Sequence, residues 1–164
     1  MALLGHVLAR RALATLSPTR TDLDTAYRAT RYHVRAEPAF DLVIDQFSDP
    51  LQGLHAEHRV TCSAIVTACN PHSKRLSADK NAARMRQLSH DVAEAGYPTI
   101  TGVAIAGVAI DPAEHPHGER WPDEPNLLIL GIPLPQAREL GSTWQQNAIV
   151  VAGHDAIPRL EWLS

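Results

Sequence analysis

The chain has 164 residues, 45% of them apolar and 20% charged, and a net charge of −3. These are the proportions of an ordinary globular protein, long enough to bury a core without metal or disulfide staples. No basic face of the kind nucleic-acid binding requires is evident, and no uncharged apolar run reaches the length of a membrane span, so neither nucleic acid nor a membrane is an expected partner.

In chain order, "MALLGHVLARRALATLSPTR" carries three arginines and no acid before Asp22. It reads as an N-terminal extension (1–20) or short amphipathic helix ahead of a single domain at 21–164. A transit peptide shares that composition, whereas a secretory signal would place its cations before the apolar residues. "AYRATRYHV" (26–34) has strand-type residues without clean alternation. "FDLVID" (40–45) alternates, with Phe40, Leu42 and Ile44 on one face. Asp49-Pro50 marks the start of a short helix through "PLQGLHAEH".

"VTCSAIVTAC" (60–69) reads as a central strand. Cys62 and Cys69, the two cysteines, would point to opposite faces of it, which argues against a disulfide between them. Reduced thiols fit a cytoplasmic location. "SADKNAARMRQLSHDVAEAG" (77–96) is the clearest helix, with Ser77 as N-cap and Gly96 at the C-terminal cap. Its apolar stripe runs Ala78, Ala82, Met85, Leu88, Val92, Ala95. "TITGVAIAGVAI" (99–110) reads as a fully buried strand. The four prolines of 111–125 exclude regular structure. "NLLILGI" (126–132) is a buried strand, "LPQARELGSTW" (134–144) a helix and "NAIVVAG" (147–153) a strand. "IPRLEWL" (157–163) contains Pro158 and is therefore an edge strand. The order β-β-α-β-α-β-β-α-β-β predicts an α+β (mixed α/β) fold: a single mixed β-sheet with three main helices packed against it. The helices act as crossover connections.

The densest polar stretch is "TACNPHSKRLSADKN" (67–81), between an apolar strand and a helix. Asn81 falls on the apolar stripe one turn into that helix. A buried amide without partners costs on the order of 1–3 kcal/mol, and Asn70 and Ser73 are the nearest sources of partners. The same parts suit a ligand, because open sheets bind ligands at strand ends and helix N-termini attract anions. Lys74 and Arg75 would add positive charge beside Ser73.

Glu124, in "WPDEPN" after Trp121, is the candidate acid or base. An indole and two prolines would partly desolvate it, which suits proton transfer. Gln145, Gln146 and Asn147 form a third polar group at a helix-to-strand junction. Nine histidines include the pairs His55/His58 and His115/His117, but neither has a third ligand at useful spacing, so no metal is assigned. No cofactor motif is present.

Together, "TACNPHS…SADKN", "WPDEPNLLILGI" and "WQQNAIVV" resemble the spaced signatures of a bacterial family, domain of unknown function 3293, over about Tyr27 to Leu163. That family's pattern is similar to T-A-x-N-P-x-S, a later Asn in the first turn of a helix, W-x-x-E-x-S and G-Q-N-A. Thr67, Asn70, Pro71, Ser73, Asn81, Trp121, Glu124, Gln146 and Asn147 match it. Asn126 stands where the pattern has Ser, and Gln145 where it has Gly. The resemblance implies no activity. The expected function is an enzyme-like or small polar or anionic ligand-binding domain, with Asn70, Ser73, Asn81, Trp121, Gln146 and Asn147 around Glu124. The alternative is a non-catalytic interaction module in which these side chains latch the loops together.

Overall fold

The computed structural model describes residues 18–106 and 121–163. Its elements are α1 (Arg20–Ala29), β1 (Arg31–Val34), β2 (Phe40–Leu42), α2 (Asp49–Glu57), β3 (Ser63–Val66), α3 (Ala78–Glu94), β4 (Thr99–Ile105), β5 (Glu124–Leu130), α4 (Leu134–Thr143), β6 (Ala148–Ala152) and β7 (Arg159–Trp162). From β1 onward this is the order the sequence predicts. The expected extension at 1–20 lies almost wholly outside the described residues, as do 107–110 of the expected strand and most of the proline-rich segment.

The first correction is α1. Residues 26–29 of the expected strand close a helix, so among the described residues four helices pack on the sheet and not the three expected. Its start is set by a capping box: the Thr19 hydroxyl accepts from Asp22 N–H, and the Asp22 carboxylate accepts from Thr19 N–H. Leu23 and Ala26 are its buried residues. Asp24 and Arg28, one turn apart, pair at 2.7 Å on its exposed side.

The second correction concerns the sheet. The seven strands lie in the order β2-β1-β4-β5-β3-β6-β7, and every pairing is antiparallel. The sheet curls into a half-barrel. The crossover reading survives in a different form. Helix α3 links β3 to β4, which run the same way but both pair with β5 between them. Helix α4 likewise links β5 to β6 across β3. Helical connections thus carry the chain between strands of one direction, while the hydrogen bonds go to an interposed strand of the other. The edge position of β7 is as expected.

Each face has its own core. On one side Tyr32, Val34, Ile65, Leu128, Leu130 and Val150 pack under Leu51 of α2, with Tyr27 of α1 against the cluster. On the other, Ala64, Val66, Leu127, Ile129 and Ile149 meet Leu88 and Val92 of α3 and Ala137 of α4. Complete burial of Leu88 or Ile129 contributes about 1.5–3 kcal/mol each. The third correction is β4: Thr99 and Thr101 are exposed and only Gly102 is buried. Helices α3 and α4 pack mainly over β5, β3 and β6.

One rim of the sheet therefore collects the C-terminal ends of β3 and β4 and the N-terminal ends of β1, β5 and β6. The three polar stretches are attached to those ends.

Candidate functional site

The loop that leaves β3 is bent by backbone conformations that residues with a Cβ seldom adopt. Asn70, His72 and Ser73 have φ of 44°, 50° and 58°. Such conformations cost on the order of 1–3 kcal/mol each and persist where surrounding contacts impose them. Here the contacts come from three directions. From α3, Asn81 accepts the Asn70 N–H at 3.0 Å and donates Nδ2 to Asn70 Oδ1 at 2.9 Å. Asn70 Oδ1 also accepts Leu76 N–H at 2.9 Å. From β5, the Thr67 hydroxyl donates to Pro125 O at 2.8 Å, and Asn70 Nδ2 donates to Glu124 Oε1. From the α4–β6 junction, Gln145 O accepts His72 N–H at 2.7 Å and Gln146 Nε2 donates to Cys69 O at 3.0 Å. Asn147 Nδ2 donates to Ser73 Oγ at 2.8 Å.

Gln145 explains one departure from the expected pattern. It follows the last turn of α4 with φ of 60°, and Gln145 N–H and Gln146 N–H bond back to Ser142 O and Gly141 O. That is a Schellman motif, whose left-handed residue is ordinarily glycine. Gly96 holds the equivalent place after α3, with φ of 81°. A Gly at position 145 would thus serve the backbone turn and have no chemical role.

These contacts border a cleft on the α1 side of the rim, with about 850 Å³ of atom-free space counted out to its open mouth. Asn70, Ser73, Trp121, Glu124, Gln146 and Asn147 all line it. Asn81 does not; it stands behind Asn70, and among the described residues its side chain bonds to that residue and to the Leu76 carbonyl. Glu124 opens β5, and its Oε1 accepts both Asn70 Nδ2 and Trp121 Nε1–H, the latter at 3.0 Å. Two donors on one oxygen suit a carboxylate and leave Oε2 without a partner among the described residues. The Arg75 guanidinium lies 5.3 Å from the Trp121 ring centre.

Sequence reasoning missed two contributors. Tyr27 lines the cleft from α1, its hydroxyl within hydrogen-bonding reach of Ser73 and Asn147. Burial pushes its phenol up, those hydrogen bonds pull the other way, and the Glu124 charge adds to the rise, so Tyr27 is a neutral hydroxyl at physiological pH. The Thr19–Asp22 capping box was the available signal for the helix that carries it. Arg84 is the second: its guanidinium donates to Ala68 O at 2.6 Å and Trp144 O at 2.9 Å, tying the exit of β3 to the end of α4. Its spacing of three from Asn81 puts both on neighbouring parts of one helix face.

Ser73 is oriented differently from the sequence expectation. Its hydroxyl turns towards Tyr27 and Asn147, while Ser77 caps α3 by accepting Lys80 N–H at 3.4 Å. No residue of the first turn of α3 lines the cleft. Of the histidine pairs, His55 is buried and its Nε2 lies 2.9 Å from Ser63 Oγ, with burial holding its pKa below the ordinary value. His58 caps α2. His115 and His117 lie outside the described residues. Burial raises the Cys69 thiol above its usual range despite the Thr67 hydroxyl, so it is not a ready thiolate.

A family model described as Protein of unknown function (DUF3293) matches residues 66–149, just over half of the chain. The matched segment contains all three polar stretches and leaves out α1 and β1, which contribute Ala26, Tyr27 and Tyr32 to the lining of the cleft. No curated protein matches the chain, and no solved structure does.

Proposed function

The chain belongs to that family, and we propose that its cleft binds a small polar ligand, neutral or positively charged, with Glu124 as the principal acceptor. The observation that carries this reading is the free Oε2 of Glu124 in a cleft whose other described lining residues bear no charge. A carboxylate without a cationic partner attracts donors and repels anions. This keeps the polar half of the expectation, drops the anionic half and adds cations. Lys74 and Arg75 are absent from the lining. Ser73, Asn147 and Tyr27 add hydrogen-bonding groups to the lining, and Glu124 is placed to take a proton from a bound group, the role of a general base.

A thermal-shift screen with small amines, amides, polyols, phosphosugars and nucleotides tests this. Amines, amides or polyols should raise the melting temperature and phosphorylated compounds should not. Glu124→Gln should fold normally and lose the shift. A set in which only phosphorylated compounds bind overturns the reading, and so does one in which nothing binds while Glu124→Gln itself destabilises the protein.

The latch reading has support at one place. Asn81 makes its hydrogen bonds inside the protein and is withdrawn from the cleft, so we assign it to holding the Asn70 turn and not to a ligand.

A further inference from the structure

The floor of the cleft carries a side chain that the resemblance marks only as a departure. Asn126 is 4% exposed and lines the cleft, and its Nδ2 has no hydrogen-bond partner among the described residues. Buried amides are almost always paired, and an orphan in a cleft asks for an explanation. The sheet is shaped to seat this side chain. Gly102 of β4 lies opposite Asn126 in the register. A Cβ on Gly102 would stand 2.5 Å from Asn126 Oδ1 and 2.7 Å from the His33 carbonyl oxygen. The absent side chain at position 102 is thus what admits the amide. Oδ1 lies towards Gly102, and Nδ2 is an amide donor with no partner among the described residues.

Asn126 and Glu124 are two residues apart on β5, so both side chains project from the same face, with their Cα atoms roughly 6.5–7 Å apart. An unused donor and an unused acceptor therefore stand side by side, flanked by Tyr32, Ile65 and Ala104. Largely apolar surroundings beside one donor and one acceptor are complementary to a small group that carries one acceptor and one donor. A cation alone would satisfy Glu124 and leave Asn126 bare. A carboxylate would satisfy Asn126 and face Glu124 with like charge.

We infer that the cleft floor receives a carboxamide-type group, with Asn126 Nδ2 donating to its carbonyl oxygen and Glu124 Oε2 accepting its N–H. The inference names the ligand class for the site proposed above and rests on that proposal.

The test is a titration of the full chain followed by ¹⁵N–¹H spectra of the side-chain amides and tryptophan indoles. The probes are 2-pyrrolidone, whose C=O and N–H share one edge, N,N-dimethylacetamide, which lacks the N–H, and methylguanidinium, which lacks the acceptor. 2-Pyrrolidone should shift the Asn126 Nδ2 and Trp121 Nε1 signals and bind tighter than either of the others. Asn126→Ser should weaken 2-pyrrolidone about three- to tenfold, the loss of one neutral hydrogen bond, and leave methylguanidinium unchanged. Equal binding of 2-pyrrolidone to wild type and Asn126→Ser, or preference for methylguanidinium, overturns the carboxamide assignment while the polar cleft stands. If no probe moves either signal, both readings fall.

Discussion

Asn70 and Asn126 are equally buried, 5% and 4% exposed, and border the same cleft. One amide is bonded at both ends, with Asn81, Leu76 and Glu124 as partners. The other has a nitrogen with no partner among the described residues. Burial therefore does not separate scaffold from site here, whereas the state of the hydrogen bonds does. A bonded amide fixes a strained turn. A bare one is a standing cost of about 1–3 kcal/mol that a ligand's oxygen would relieve.

The largest expected effect lies on the bonded side. Asn81→Ala removes both hydrogen bonds to Asn70 and strands its N–H in a turn with positive φ. The expected loss is about 2–4 kcal/mol, read as a lower midpoint in urea with an unchanged slope. A variant within 0.5 kcal/mol of wild type, to take an order-of-magnitude limit for neutral surface changes, would mean the Asn70 turn is held by its other contacts and the contrast is false.

Next comes Gly102→Ala, aimed at the seat of the bare amide. The new methyl group meets Asn126 Oδ1 and the His33 carbonyl at distances real Cβ atoms do not show. Overpacking of this kind costs about 1–3 kcal/mol. Adding Asn126→Ser to it should restore part of the loss, because one of the two collisions disappears and the backbone one remains. A double variant no better than Gly102→Ala would show that Asn126 moves aside freely.

How much of this could be read beforehand depends on the range of the signal. Element order from β1 to β7 is local, written in alternation and caps, and the sequence reading matches it. Helix α1 was local too, but its Tyr and Thr residues resemble a strand, and the Thr19–Asp22 pair was the clue that outweighed them. Strand neighbours were not legible. Connection length gives relative direction, which is correct for β3 and β4, and says nothing of β5 inserting between them. At the site, the gathering of Asn70, Glu124 and Asn147 followed from their places at element ends. The difference between Asn81 and Asn126 did not. It depends on Asn70 facing the one and Gly102 facing the other, and Gly102 is 24 positions away in the chain.

The smallest effect is the most discriminating. Asn126→Ser alone removes an amide that, among the described residues, makes no hydrogen bond through Nδ2 and leaves a small polar space in its place. The lost packing and the relieved desolvation oppose each other and are of similar size, so stability should change by less than about 0.5 kcal/mol. Calorimetric unfolding at neutral pH, without added ligand, reads this directly. A buried residue whose truncation costs nothing in the free protein, yet weakens an amide ligand, is one held for binding. A loss of about 2 kcal/mol would instead place Asn126 with Asn70, as a structural amide whose partner is an ordered water bridging it to the sheet.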